Sequence, residues 1–132
     1  MKLKSLLFIP VILVLCFSSC SKVEGEGGAA KIKGKVTIHN YNSAGTLIST
    51  YPAADEDVYI IYGNENSFYD NDVKTSYDGS FEFRYLQKGN YQVFVYEDCQ
   101  TCASGDTVVM NTINISGKNE EVDLGEIIVR KY

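Results

Sequence analysis

At 132 residues, with 45% apolar side chains, the chain is long enough for one domain with its own core and too apolar to stay unfolded. Its formal charge is −5, and no basic stripe runs through it. That argues against nucleic acid as a partner, because phosphate binding needs clustered Lys and Arg.

The first twenty residues read as an address. Met1-Lys2-Leu3-Lys4 is a short basic start, Leu6 to Phe17 is an apolar run broken by Pro10, and Ser18-Ser19 are small. This is the tripartite pattern of an export signal. The run is shorter than the roughly 20 apolar residues that a membrane-crossing helix needs. A cysteine follows the small pair, and Phe17-Ser18-Ser19-Cys20 resembles the lipobox of bacterial lipoproteins, with Phe17 where Leu is usual. The resemblance implies cleavage after residue 19, a diacylglycerol and further acyl chains such as palmitate on Cys20, and anchorage in the outer membrane. Several acyl chains on one cysteine give stable anchoring, where one alone is marginal. Ten basic residues (12 less Lys2 and Lys4) then face 17 acidic ones, a mature charge of −7. Residues 20–30 are rich in Gly and charge and read as a flexible tether that lifts the domain off the bilayer. Their acidic residues resemble the surface-export signal of Bacteroides-type lipoproteins, which favours the cell surface over the periplasmic leaflet.

Strand patterns dominate the remaining unit, 31–132. In Lys31 to Ile38, Ile32, Gly34, Val36 and Ile38 share one face while Lys31, Lys33, Lys35 and Thr37 share the other. Such period-two alternation marks a half-buried strand. Further strands are expected at Asp57–Tyr62, Val73–Ser76, Ser80–Leu86, Tyr91–Tyr96, Val108–Ile115 and Val122–Val129. Asp78-Gly79 and Lys88-Gly89-Asn90 supply turns between them, and Gly125 marks a bulge in the last. No segment after residue 20 has a helical period. Seven short strands with turn signals at short spacing predict an all-β, antiparallel Greek-key sandwich.

Several of these stretches resemble a known family. They are Ile32-Lys33-Gly34-Lys35-Val36, then Ser76-Tyr77-Asp78-Gly79-Ser80-Phe81-Glu82-Phe83. Leu86, Gly89-Asn90-Tyr91-Gln92-Val93-Phe94-Val95 and Leu124-Gly125-Glu126-Ile127 follow. In that order they look like the carboxypeptidase regulatory-like domains, which have a transthyretin (prealbumin)-like sandwich of seven strands. Asp55-Glu56-Asp57 stands where the family often has Gly, and Gln87-Lys88 where it often has Pro. The resemblance implies a non-catalytic attachment. Similar domains occur in surface lipoproteins of Bacteroidetes and at the start of their outer-membrane nutrient receptors.

Candidate chemistry is sparse. Cys99-Gln-Thr-Cys102 has three readings: a structural disulfide, free thiols, or a redox or metal site. An exported protein permits the disulfide. Glu97, Asp98 and Asp106 nearby raise a thiol pKa and oppose a redox role. Zinc needs about four ligands, and only His39 is left to add. Acidic clusters at Asp55-Glu56-Asp57 and Asp70-Asn71-Asp72 match no calcium-loop spacing. No metal or cofactor is therefore expected. Aromatic rings with polar tips suit both packing and recognition. Phe94 and Tyr96, with Phe68 and Tyr69 in a loop, offer rings for stacking on a sugar or peptide. The function expected is a non-enzymatic, lipid-anchored accessory module that binds an envelope protein or a glycan. The rivals are a carbohydrate-binding module of a nutrient-uptake system and a stalk or fimbria-like subunit.

Overall fold

The computed structural model of the chain describes residues 23–64 and 67–132. The signal segment and Cys20 lie outside the described residues. Eight strands follow one another, with no helix among the described residues. They are β1 (Glu26–Tyr41), β2 (Leu47–Pro52), β3 (Asp57–Tyr62), β4 (Asn71–Lys74), β5 (Ser80–Leu86), β6 (Gly89–Asp98), β7 (Asp106–Ile115) and β8 (Glu121–Lys131). Two four-stranded sheets enclose one core, so the chain is an all-β sandwich.

β1 is the spine of the first sheet. β8 runs parallel along one of its edges, from Lys31 opposite Glu121 to Asn40 opposite Lys131. The other edge is shared: β5 pairs antiparallel with the first part of β1 and β2 with the last. The handover is at Val36, whose N–H donates to the Gly79 carbonyl (2.8 Å) and whose carbonyl accepts from the Ala53 N–H (3.0 Å). The second sheet has the order β4-β3-β6-β7 and is antiparallel throughout.

Five expectations need correction. There are eight strands, not seven. β2 was not foreseen because every residue in it is exposed, so no alternation betrays it, and its terminal Pro52 is tolerated only at a sheet edge. The sheets are not wholly antiparallel: β7 lies in the second sheet, and the crossing at Ser116–Glu120 returns β8 to the end where β1 begins. Asp78-Gly79 does make a tight turn, with Gly79 N–H donating to the Ser76 carbonyl (2.8 Å). It joins β4 to β5 in the other sheet, so it is a crossing and not a hairpin. β4 ends at Lys74 because Thr75 turns its hydroxyl onto the Ala53 carbonyl (2.5 Å) and accepts the Glu56 N–H (2.9 Å).

Of the segment read as a tether, the part from Glu24 to Ala30 packs on the sandwich. β1 begins at Glu26. Gly25 N–H donates to the Tyr91 hydroxyl (3.0 Å), and the Gln87 N–H donates to the Gly25 carbonyl (2.8 Å). The same hydroxyl donates to the Gln87 carbonyl (2.7 Å). A Cβ on Gly28 would stand 1.9 Å from the Leu86 carbonyl oxygen. Glycine is used here for close backbone approach, not for flexibility.

Two bulges keep the apolar residues inward. Around Gly125 (φ +67°), β8 advances three positions, Asp123 to Glu126, while β1 advances two, Lys33 to Lys35. That shift puts Val122 and Leu124 on the same side as Ile127 and Val129. In β5 the register slips between Phe83 and Leu86. Tyr85, at φ +60°, is turned out to solvent and Leu86 is returned to the core. Ile32, Val36, Val58, Ile60, Tyr91, Val93, Val95, Ile115 and Val129 are fully buried between the sheets. Each such side chain contributes about 1.5–3 kcal/mol.

Candidate functional site

The outer face of the second sheet is the candidate site. Alternation sends Val58 and Ile60 of β3 and Val93 and Val95 of β6 inward. Tyr59, Phe94 and Tyr96 must then face out. Register brings them together, because Tyr59 lies directly opposite Phe94 across β3 and β6. Their rings stack at 5.1 Å with 17° between planes. Tyr96 meets both edge-on, 5.5 Å from Tyr59 and 5.6 Å from Phe94. Tyr69, from the loop after β3, closes on Tyr59 at 4.7 Å. Phe94 also faces Met110, and Tyr96 faces Val108, on β7. These offset and edge-to-face arrangements are the favoured ones for aromatic pairs.

The rings differ in what they offer. Phe94 is only 6% exposed, whereas Tyr96 is 45% and Tyr69 51% exposed. Phe94 is thus the floor of the cluster and not a ring open to a ligand, because Tyr59 covers its face. Phe68 is 84% exposed and makes no ring contact with the other three among the described residues. Tyr59 is the member that sequence reading did not place in the site. Its outward parity was legible, but its partner across the strand pair was not. Burial, followed by the nearby Asp57 carboxylate, pushes the Tyr59 hydroxyl up from its usual pKa. The hydroxyls of Tyr59, Tyr69 and Tyr96 hydrogen-bond to no protein group among the described residues. Lys74 bridges to Asp57 (3.0 Å) beside the cluster, and Asp72 lies opposite Tyr59. The face therefore combines ring edges and faces, free hydroxyls and carboxylates: groups that stack on the C–H faces of a sugar and bond its hydroxyls.

Other sequence candidates lie elsewhere. Cys99 and Cys102 are joined by a disulfide at the tip of the β6–β7 hairpin. It closes a very short loop, so its stabilisation is small. The Glu97 carboxylate is buried and holds Arg130 on β8 through three hydrogen bonds, the shortest 2.5 Å. Those bonds from Arg130 hold Glu97 below the usual carboxylate range, and the pair ties one sheet to the other. The acidic clusters are occupied locally: Asp55 and Asp57 by Lys74, Asp70 by the Tyr62 N–H (2.7 Å). His39 has the Tyr41 ring as its neighbour at 6.5 Å. Among the described residues no three His, Cys, Asp or Glu side chains gather in a metal-holding group.

No family model matches this chain, and no curated protein matches it. Solved structures do resemble it. A proposed carbohydrate binding protein from Pseudomonas aeruginosa aligns over 81% of this chain and 91% of its own, with 12% identity and a TM-score of 0.49. (S)-Allantoin synthase aligns over 80% of this chain and 42% of its own, with 12% identity and a TM-score of 0.39. At these scores the likenesses speak to neither ligand nor reaction.

Proposed function

We propose that this chain is a non-enzymatic envelope module, anchored through acylated Cys20 at the outer membrane, which binds glycan chains on the outer face of its second sheet. One observation carries the reading: Tyr59 and Tyr96 pack on Phe94, and Tyr69 on Tyr59, at a solvent-facing sheet, with hydroxyls that no protein group among the described residues takes up. A core-type cluster would hide those hydroxyls or satisfy them. A flat face built of rings and carboxylates accommodates an extended chain rather than an enclosed small molecule. The domain is read as carboxypeptidase regulatory-like and prealbumin-type. Support comes from its quoted motifs meeting in the core: Ile32 opposite Phe83, Gly34 opposite Phe81, and Val36 opposite Ile127. No cofactor has a role in this function.

Titration of the purified protein with host and plant polysaccharides tests it. Saturable quenching of tyrosine fluorescence is expected with at least one of them, weakened by Tyr96→Ala and Tyr69→Ala. Binding that ignores both substitutions, or no binding to any glycan, overturns the reading. A second reading has one observation of its own. β7 is a ten-residue edge strand without Pro and without charge beyond Asp106. Natural edges are usually guarded by such residues, and an unguarded one suits strand addition by a protein partner. Quenching by no glycan, together with capture of a single envelope protein that protects β7 amides from exchange, would favour it.

A further inference from the structure

The end of the sandwich from which the chain leads back to Cys20 has a chemistry of its own. Gly25 is docked there between the β5–β6 turn and Tyr91. Glu24 lies beside Gly89, with its carboxylate accepting the Asn90 N–H (3.4 Å). Only Ser21, Lys22 and Val23 then separate Glu24 from Cys20. Four steps of chain at about 3.5 Å each reach roughly 14 Å. The headgroup layer takes up about 5–8 Å of that. An acylated Cys20 thus leaves this end within about one Debye length, ~8 Å, of the bilayer surface.

Three features of this end suit such a surface. Phe68, in the loop after β3, is 84% exposed. Lys88 in the β5–β6 turn and Lys118 in the β7–β8 turn flank a depression of about 460 Å³ floored by Gly27, Gly28 and Leu86. Among the described Lys and Arg residues, only they and Lys35 form no ion pair, although Lys88 acts at longer range on the Glu120 carboxylate. Among the described residues, Glu24, Glu26 and Glu120 of the same end are turned onto protein donors. Glu120 takes the N–H groups of Ser116 (2.8 Å) and Gly117 (2.7 Å), and Glu26 takes the Asn71 amide (3.1 Å).

Resting on the Cys20 anchor proposed above, we infer that this end docks on the bilayer that holds the anchor. Phe68 enters the headgroup–acyl boundary, and Lys88 and Lys118 sit on lipid phosphates. Aromatic rings and lysines are the side chains that settle at that depth. Because the strands run from this end to the opposite one, docking stands the sandwich upright. The disulfide hairpin and the β1–β2 turn point away from the membrane, and the aromatic face opens sideways to a chain lying along the surface. A tethered domain would tumble instead.

The chain has no Trp, so single tryptophans report position. The acylated full-length protein would be placed in vesicles of phosphatidylethanolamine and phosphatidylglycerol with brominated acyl chains. Phe68→Trp should lose most of its emission, while Ala44→Trp in the β1–β2 turn should keep its own. Adding Lys88→Glu and Lys118→Glu should restore emission at position 68 while the protein still floats with the vesicles. Protein that floats yet shows equal quenching at 68 and 44, or quenching indifferent to the two reversals, overturns the docking. Wild-type protein that does not float removes the anchor itself, which is a different result from flotation without quenching.

Discussion

On the outer face of the sheet built around β1, Lys31 and Lys33 both reach Glu121, Lys31 also nears Glu82, and Arg84 closes on Glu82 at 2.8 Å. On the outer face of the sheet β4-β3-β6-β7, the same strand alternation presents Tyr59, Phe94, Tyr96, Val108 and Met110. The first face is built mainly of paired charges. Most of them find partners along a strand or on the next one, while Lys35 forms no ion pair and Ile128 of β8 stays 43% exposed. The second buries one ring, stacks others on it, and leaves hydroxyls and ring edges open. Two faces with one backbone pattern thus differ in what they still lack. A face of mostly paired charges is a solvent boundary, whereas an aromatic face with open polar tips is the one with binding capacity to spare.

The most forceful way to break the comparison is to remove the floor of the aromatic face. Phe94→Ala should cost about 3–5 kcal/mol, the usual range for deleting a buried phenyl ring, read as a fall in the urea midpoint. Lys33→Ala on the opposite face should leave that midpoint where it was. Equal losses would mean that the two faces are not different in kind. A smaller effect, on binding and not on folding, is expected of Tyr96→Ala. An aromatic contact is worth about 0.5–1.5 kcal/mol, which is a roughly two- to twelve-fold weaker glycan affinity with the melting curve little changed.

How far these faces were legible in the sequence follows from which residues alternate. Lys31 to Ile38, Phe81 and Phe83, and Tyr91 to Tyr96 announce their strands, because one side of each is buried. β2 announces nothing, since both of its sides are exposed. The pairing of β1 with β8 joins residues some ninety positions apart, and no local pattern states whether it is parallel. The same gap hid Tyr59. Parity turns it outward, but only the β3–β6 register puts it on Phe94. The glycines before Ala30 misled for another reason. A glycine needed because a neighbouring carbonyl lies 1.9 Å from where its Cβ would be, as at Gly28, has the same letter as one in a linker.

Titration separates the faces further, because the charged face weakens at both ends of the pH scale and the aromatic cluster at the alkaline end. Hydrogen bonds from Lys31 and Lys33 hold Glu121 down to about 2, and Arg130 holds Glu97 low as well. A carboxylate depressed on folding contributes stability above its unfolded pKa, about 4.3, and loses it as pH falls through the folded value. Tyr59 is shifted the other way, raised by burial. Its contribution is full below about 10, the unfolded tyrosine value, and is lost as pH rises through the folded one. Urea midpoints measured across pH should therefore fall at both limbs. Glu121→Gln should flatten the acid limb and, because the same carboxylate raises Lys31 and Lys33, part of the alkaline limb too; Tyr59→Phe should change the alkaline limb alone. A Tyr59→Phe variant that flattens the acid limb would contradict the division.

The smallest effect expected is that of Glu121→Gln at neutral pH. Exposed ion pairs contribute little, because water already solvates both partners and holding two long side chains together has an entropic cost. What the substitution does change is the balance on its own face. Lys31 and Lys33 lose the carboxylate they share and are left two residues apart on one strand face. Their repulsion should lower the melting temperature slightly at low ionic strength. The difference should vanish in about 1 M salt, where the Debye length is about 3 Å. The loss caused by Phe94→Ala should persist there unchanged, because it comes from buried contacts that salt does not screen. A salt-dependent Phe94→Ala loss, or a salt-independent Glu121→Gln one, would show that the two outer faces are held by the same forces after all.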